Sequence, residues 1–313
     1  MRILIVLPVA NYSGSAIALF RVARLLIKIG WVVEVFSMKG PILEDFSNAG
    51  AILHEKFPLR KYSYVIFNSI ASIGVALKVW DVLSSEKRIL WLHEDENFLK
   101  IIKIEFSIYD KLKFDNIIYP AKYLSKFSEK FPSIKRTHFN NIVDVPFNYG
   151  ENDGSMCVVG AYEARKNQDF ILKNFECMCD LKFIGRNVSR IRSGNKIMLF
   201  EELSPRECII QVSNSLGVVS ASLMETQNLV ALEAIQAGKP VLLSNITAHA
   251  ILSKQFSNVE LFDLDDVDGF RLGLRKIYEY SSNRERCFAN SEVARSMYGE
   301  KRAEFELREI FGK

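Results

Sequence analysis

Short apolar runs alternate along the chain with segments whose apolar positions follow the helical period. Near-continuous runs of this length are typical of strands buried on both faces of a parallel sheet, and the alternation predicts an α/β protein with doubly wound sheets. Helices are predicted at 16–29, 205–212, 229–237, 270–280 and 292–311. Ser204-Pro205-Arg206-Glu207 predicts a capping box with Pro at the first position of the helix 205–212. The predicted strands are 2–8, 31–37, 64–68, 88–92, 115–119, 156–160, 181–185, 197–200, 216–220 and 241–244.

The most informative unit is residues 216–244, which read as strand, loop, helix and strand. Gly238 stands where a left-handed C-cap belongs, and Pro240 prevents the helix from continuing. Glu225 lies in the loop at the helix mouth, and Glu233 lies inside the helix. A helix N-terminus offers free N–H groups and positive partial charge to a phosphate, while nearby carboxylates accept hydrogen bonds from hydroxyls. These residues therefore predict a binding site for a phosphorylated ligand that is rich in hydroxyls.

Glu225 and Glu233, with seven residues between them and Gly238 and Pro240 behind them, resemble the E-x7-E signature of retaining GT-B glycosyltransferases, especially family 4. The resemblance implies two Rossmann-like domains that face a central cleft. It also implies that Glu225 contacts the donor sugar and that Glu233 holds the ribose hydroxyls. The implied diphosphate ligands are the backbone amides of Thr226, Gln227, Asn228 and Leu229. Thr226-Gln227-Asn228 replaces the common Gly-Phe-Gly run, so the donor sugar is left unassigned.

A second motif follows the strand predicted at 156–160. The segment from Gly160 to Asn167, G-A-Y-E-A-R-K-N, resembles the family's G-x-x-E-P-R-K-N variant. A departing nucleotide diphosphate needs fixed cations beside it, and Arg165 and Lys166 can supply them. Most relatives carry an Arg directly after the glycine, where this chain has Ala161, so Arg165 is expected to compensate.

The first half of the chain begins with a strand, a small-residue loop, a helix and a strand. Gly14 in that loop matches the family's Gly-rich loop at the donor and acceptor sites, while the dinucleotide fingerprint G-x-G-x-x-G is absent. His93 follows the strand predicted at 88–92, at the sheet edge where ligands of open α/β sheets collect. It resembles the family's His that contacts the donor sugar. The remaining histidines, interpreted as structural, are His54, His138 and His249.

Length and composition suit two α/β domains. The 313 residues are 49% apolar and 25% charged, and no apolar run reaches the length of a transmembrane helix. The first ten residues fit a strand better than a signal peptide, so the expected location is the cytoplasm. Five cysteines, including a C-x-C pair at 177 and 179, are interpreted as buried thiols.

The predicted domains are 1–147 and 156–295, joined by a linker at 148–155, with a terminal helix at 296–313 that crosses back to the first domain.

Basic residues are concentrated between positions 97 and 136. Nine Lys or Arg and four acidic residues give this region a local charge of +5, although the whole chain carries only +4. Aromatic and aliphatic residues interleave with the lysines between 98 and 112 at roughly helical spacing. Two interpretations stay open: an interfacial helix on the inner face of an anionic membrane, and a packed helix with a solvated lysine face. Nucleic acid binding is not expected, because no known binding module surrounds the patch.

The acidic run 263–268 contains D-x-D spacing, which a metal-dependent GT-A glycosyltransferase would use to hold a cation on the diphosphate. Its position just before a predicted helix favours capping of that helix instead. No metal or other cofactor is expected.

The predicted function is retaining transfer of a hexose or N-acetylhexosamine. The donor would be a UDP- or GDP-sugar, and the acceptor a saccharide or a lipid-linked glycan in cell-surface synthesis. Two alternatives keep the same fold: a nucleotide-sugar epimerase or phosphorylase, and a binding protein with a degenerate site.

Overall fold

The computed structural model describes residues 1–97, 111–148, 152–176, 179–192, 194 and 196–312. These residues form two compact units, one of Met1–Ile142 with Glu300–Lys313 and one of Val143–Gly299. Each unit is built on one parallel sheet with helices packed against it, so the predicted α/β class is confirmed. Most of the predicted lysine and aromatic segment, part of the predicted linker and Cys177 lie outside the described residues.

The first unit contains a seven-stranded parallel sheet in the order β3-β2-β1-β4-β5-β6-β7. Strand order reverses between β1 and β4, which makes a topological switch point at that place. The strands are β1 Arg2–Leu7, β2 Val32–Ser37, β3 Ile52–His54, β4 Tyr62–Asn68, β5 Ser85–Trp91, β6 Phe114–Tyr119 and β7 Ser133–His138.

Helices cover both faces of this sheet because side chains of successive strand residues point to opposite sides. Ile3 and Ile5 face one apolar core and Leu4 and Val6 face the other. Four helices of the described residues lie between the strands: α1 Gly14–Lys28, α2 Ile42–Asn48, α3 Ile73–Val79 and α4 Ser125–Ser128.

The end of the chain returns to the first unit as a helix of its own. Glu300 forms ion pairs with Arg24 and Lys28 of α1. At the other end, the Phe311 ring packs edge-on against Tyr64 with 4.9 Å between centroids, and the Tyr64 hydroxyl donates to the Phe311 carbonyl at 3.0 Å. These contacts tie the last helix to the first core.

The second unit contains a six-stranded parallel sheet in the order β10-β9-β8-β11-β12-β13. Its strand order reverses between β8 and β11. The strands are β8 Ser155–Val159, β9 Asp180–Ile184, β10 Ile197–Phe200, β11 Gly217–Ser220, β12 Val241–Ser244 and β13 Val259–Phe262. The helices are α5 Gln168–Asn174, α6 Pro205–Ser213, α7 Leu229–Gln236, α8 Thr247–Gln255, α9 Val267–Ser281 and α10 Arg284–Tyr298, and α11 Glu300–Phe311 belongs to the first unit.

The helix-end signals of the second unit are confirmed. Ser204 and Glu207 form the predicted capping box before α6. Gly238 ends α7 with a φ of +84°, and Phe147 packs so close that a Cβ at Gly238 would lie 2.4 Å from its ring. Asp266, from the acidic run, caps α9 by accepting a hydrogen bond from the Gly269 amide at 2.8 Å.

The prediction of one helix over 292–311 is wrong. Gly299 adopts an extended ψ of 166° after Tyr298 and separates α10 from α11. Glycine is a poor helix former because it has no Cβ to restrict the unfolded chain, so it readily supplies the break. Among the described residues, no helix has the length and apolar character needed to cross a membrane.

Replacement of Phe311 by Ala tests how much the returning helix contributes to the first unit. Phe311 is 1% exposed, so the cavity should lower the free energy of unfolding by about 3–5 kcal/mol. Urea unfolding followed by tryptophan fluorescence measures this, since all three tryptophans lie in the first unit. Phe305→Ala on the same helix is the control. Its side chain is 63% exposed, and a shift of at most about 0.5 kcal/mol is expected.

Candidate active site

Most of the residues predicted to bind the donor lie around the switch point of the second sheet. The loop after β8 holds the Gly160–Asn167 motif, and the loop after β11 leads into α7. These two strands are neighbours, and strand order reverses between them. Ligands of open α/β sheets bind at this place because the two loops leave in opposite directions and open a crevice.

The loop after β8 depends on two glycines. Gly160 has a φ of +138°, a conformation in which L side chains are strained, and a Cβ there would lie 3.2 Å from Cε of Lys166. Gly185, which follows β9, has a φ of +148°, and its Cβ would lie 2.3 Å from the Gly160 carbonyl oxygen. The missing side chains let the backbone of the two loops approach closely and let Lys166 lie flat against Gly160.

A largely buried ion pair joins the two loops. Nζ of Lys166 donates to Oε1 of Glu225 at 2.5 Å, and the two side chains are 16% and 11% exposed. The hydroxyl of Ser222 donates to the same oxygen at 2.9 Å. Arg165 lies 3.9 Å from the other Glu225 oxygen, and its carbonyl accepts a hydrogen bond from the Leu223 amide at 2.8 Å. Side chains thus hold Glu225, and a backbone hydrogen bond joins the two loops beside it.

The charge state of Glu225 follows from these contacts. Burial acts to raise the pKa of its carboxyl, but the charge and hydrogen bond of Lys166, together with the charge of Arg165, outweigh it and lower the pKa. The carboxylate is thus ionised at neutral pH, with its charge balanced by Lys166.

Helix α7 starts directly after this ion pair. Its N-cap is Asn228, whose side chain accepts a hydrogen bond from the Ala231 amide at 3.1 Å. The first amides of a helix have no acceptor within the helix, and its dipole makes this end positive. Asn228, Leu229 and Glu233 are buried, while Thr226 and Gln227 are partly exposed. The helix therefore presents its positive end beside a partly exposed segment of its loop.

Two predicted residues belong to the first unit. Gly14 is the first residue of α1, after the N-cap Ser13, and a Cβ on it would meet no atom within 4 Å. His93 follows β5 by two residues. Burial lowers the pKa of His93 to about 3, so the imidazole is neutral at physiological pH. Its Nε2 is buried and has no hydrogen-bond partner among the described residues.

A buried carboxylate next to His93 fixes the backbone around it. Glu94 accepts hydrogen bonds from the amides of His93 and Ile70, both at 3.1 Å, and from the hydroxyl of Ser69. Ser69 follows β4 with a φ of 72° and a ψ of 157°, a region that is almost restricted to glycine. A strained backbone of this kind persists only where neighbouring groups fix it. Glu94 does so through its hydrogen bonds with Ser69 and Ile70.

The structure thus brings Gly160, Arg165, Lys166, Glu225 and the N-terminus of α7 together in the second unit. Gly14 and His93 lie in the first unit. Sequence reasoning missed Gly185, Ser222, Ser69 and Glu94. A glycine after a predicted strand could have pointed to Gly185, and a glutamate directly after His93 could have pointed to Glu94. In the described part of the chain, no three His, Cys, Asp or Glu residues are grouped as metal ligands would be.

Comparison with known proteins places the fold among glycosyltransferases. Sucrose-phosphate synthase from Thermosynechococcus elongatus matches with a TM-score of 0.71 at 14% identity, covering 99% of this chain and 98% of that one. HepE from Anabaena, solved with UDP and glucose, matches with a TM-score of 0.77 at 12% identity and 99% coverage of both chains. A glycosyltransferase from Rickettsia africae matches with a TM-score of 0.70 at 13% identity, covering 99% and 97%.

These matches span the whole chain and confirm the predicted GT-B fold, with its two parallel α/β units. At such identities the likeness concerns the fold alone. No protein-family model matches the chain, and no curated protein matches it significantly.

Replacement of Glu225 by Gln tests the ion pair through its pH dependence. At pH 7 the variant should be less stable by about 1–3 kcal/mol, because Lys166 loses its buried partner. A carboxyl with a lowered pKa stabilises the fold above its ordinary value of 4.5, and that stability is lost as pH falls through the lower folded value. The difference in stability between wild type and variant should therefore become smaller below pH 4.5.

Hydrogen exchange of peptides from β8 and β11 measures this stability within the second unit. Glu163→Gln is the control, since Glu163 pairs with Arg165 while 39% exposed. Its effect should stay within about 0.5 kcal/mol. A gap between wild type and Glu225→Gln that does not change from pH 7 to pH 4 would contradict the assigned charge state.

Proposed function

We propose that this protein is a retaining, metal-independent glycosyltransferase that uses a nucleotide-diphosphate sugar. The observation that carries the proposal is the largely buried Lys166–Glu225 pair at the N-terminus of α7, on the switch point of the second sheet. It places a cation, a fixed carboxylate and a helix N-terminus around one point. That combination suits a ligand with an anionic diphosphate and neutral sugar hydroxyls.

The diphosphate is the proposed ligand of the positive groups. Lys166, Arg165 and the first amides of α7 would stabilise the negative charge that develops when the nucleotide diphosphate leaves. Gly160 would let the phosphate approach the backbone. Glu233, buried in α7, would accept hydrogen bonds from the ribose, in line with the resemblance described above.

The sugar is the proposed ligand of Glu225 and His93. A neutral imidazole whose Nε2 has no partner among the described residues is suited to a hydroxyl, because a buried polar atom is expected to be satisfied by some ligand. HepE was solved in complex with UDP-glucose, which supports a nucleotide-sugar donor for this chain. The base and the sugar are proposed only as UDP or GDP with a hexose or N-acetylhexosamine.

Retention is proposed from the resemblance described above. Because the carboxylate nearest the donor site is bound to Lys166 and is a poor nucleophile in that state, we propose a route without a covalent glycosyl-enzyme intermediate. The acceptor hydroxyl would attack the anomeric carbon from the face that the diphosphate leaves. The bond from the anomeric carbon to the phosphate oxygen breaks, and that phosphate oxygen takes the acceptor's proton. The acceptor is proposed to be a saccharide or a lipid-linked glycan in cell-surface synthesis, handled in the cytoplasm.

Replacement of Lys166 by Ala tests this proposal. Turnover should fall by about 10²–10³-fold, as for loss of one preorganised charge-stabilising group. The variant also leaves Glu225 without its ion-pair partner, so it should be less stable by about 1–3 kcal/mol, and turnover is compared at a temperature at which the variant is fully folded. Mass spectrometry of mixed UDP- and GDP-sugar donors with saccharide acceptors measures new glycosidic bonds, and turnover should persist in EDTA. Lys173→Ala, an exposed lysine of α5, is the control and should retain wild-type turnover.

Other products in that assay would point to the alternatives. An epimerised donor or a sugar phosphate would indicate an epimerase or a phosphorylase, and donor binding in calorimetry without any turnover would indicate a binding protein. Near-normal transfer by Lys166→Ala would contradict the proposed role of the lysine.

Peripheral contact with an anionic membrane is a second proposal for the basic region. Among its described residues, Ile134 on the edge strand β7 is 71% exposed beside Lys135, and Lys122 and Lys126 are exposed. Lys130, by contrast, pairs with Glu96. An exposed aliphatic residue among lysines suits a surface of acidic headgroups.

Sedimentation with liposomes that contain phosphatidylserine tests this contact at low salt. A Lys122→Glu and Lys126→Glu double variant should bind at least about tenfold more weakly, since each lysine near the surface contributes about 1 kcal/mol. Lys173→Glu is the control with reversed charge in the second unit. Wild-type protein that stays in the supernatant would contradict the proposal.

A further inference from the structure

The N-cap of α7 is held from behind by a buried histidine. The Asn228 side chain accepts from the Ala231 amide with Oδ1 and donates with Nδ2 to Nε2 of His249 at 3.0 Å. Asn228 is 6% exposed and His249 is fully buried. The contact is therefore an interior one, and the capping side chain cannot turn away without breaking it.

The direction of this hydrogen bond is set by the other side of the imidazole. Nδ1 of His249 lies 2.8 Å from the Ser244 carbonyl, which can only accept, so Nδ1 carries the proton. Burial lowers the pKa of His249, and the ring is neutral at physiological pH. Nε2 must then accept, and only one orientation of the Asn228 amide satisfies both the imidazole and the helix.

The same histidine reaches the other end of the loop through two serines. Ser244, which ends β12, donates from its hydroxyl to the Ser222 carbonyl at 2.5 Å. Ser222 donates in turn to the Glu225 carboxylate. The side chains of His249, Ser244 and Ser222 are all fully buried. Both ends of the segment 225–228 are thus anchored on one imidazole, directly at Asn228 and through Ser244 and Ser222 at Glu225.

We propose that His249 is a positioning residue of the donor site, which acts through Asn228 and Ser244 to hold segment 225–228 in its donor-binding conformation. The inference rests on the proposed function for the identity of the ligand. His249 touches no donor atom itself, since it is buried beneath the segment. We call the contacts of His249 with Asn228 and Ser244 the clamp. A glycine at position 228, as in the commonest form of the resembling family, would have no side chain to contact His249.

The two arms of the clamp can be separated with conservative variants. In His249→Gln, the amide oxygen can replace Nε2 as the acceptor for Asn228. In His249→Asn, the shorter amide can replace Nδ1 at Ser244 but cannot reach Asn228. Asn228→Asp keeps the cap on Ala231 but cannot donate to Nε2, so its contact with His249 requires a protonated imidazole.

Calorimetric titration with UDP-glucose and GDP-mannose measures donor affinity in these variants. We expect His249→Asn and Asn228→Asp to bind the donor at least tenfold more weakly at pH 8, and His249→Gln to stay within about threefold of wild type. Asn228→Asp should recover affinity at pH 5.5, because the carboxylate that it introduces beside Nε2 opposes the effect of burial and favours a protonated imidazole. Lys254→Ala, exposed on the same helix α8, is the matched control.

Hydrogen exchange of the amides from 225 to 231 provides a readout without any donor. Exchange should rise in His249→Asn and Asn228→Asp at pH 8 and stay near wild type in His249→Gln. Wild-type exchange in all variants would overturn the clamp, as would donor affinity within twofold of wild type in His249→Asn and Asn228→Asp. If wild type binds neither nucleotide sugar, the donor assignment fails, and exchange alone still decides whether His249 holds the segment.

Discussion

The geometry of the second unit's candidate site depends on the ion pair between Lys166 and Glu225. An ion pair that is removed from water stabilises a protein little unless its geometry is good and both groups make their remaining hydrogen bonds. Here Ser222 bonds the same carboxylate oxygen, and the Arg165 carbonyl bonds the Leu223 amide. The loops after β8 and β11 leave neighbouring strands in opposite directions, so a fixed contact is needed to keep them in register. The ion pair supplies it at the point where a ligand would sit.

The pair also explains how a carboxylate can stand at the mouth of α7 without repelling an anionic ligand. Glu225 alone would place a negative charge beside the positive end of the helix and compete with a phosphate for it. Lys166 at 2.5 Å balances the charge of the carboxylate, and Arg165, 3.9 Å from it, is itself paired with Glu163, so the positive end of α7 is not cancelled. Glu225 can then offer oxygen acceptors to hydroxyls while the cations keep the site attractive to a diphosphate.

The sequence predicted many of the features that local chemistry decides, although the helix break at Gly299 is a local feature that was not predicted. Features that distant contacts decide were missed. The strands with continuous apolar runs, the capping box at Ser204 and the left-handed end of α7 at Gly238 follow from neighbouring residues. Strand β3 has only three residues and β7 is a largely polar edge strand, so neither carries a strong apolar pattern. The hold of Glu94 on Ser69 joins residues that are close only because β4 and β5 pair, and no local pattern shows it.

The candidate residues of the two units occupy similar places in their sheets but differ in charge. Both sheets are parallel and reverse their strand order once, and both place their candidate residues after the carboxyl ends of strands near that reversal. In the second unit, the side chains at this edge are charged and paired, as Lys166 and Glu225 are. In the first, His93 is kept neutral by burial and its backbone is fixed by Glu94. A charged edge suits an ionic diphosphate, whereas a neutral imidazole suits hydroxyls.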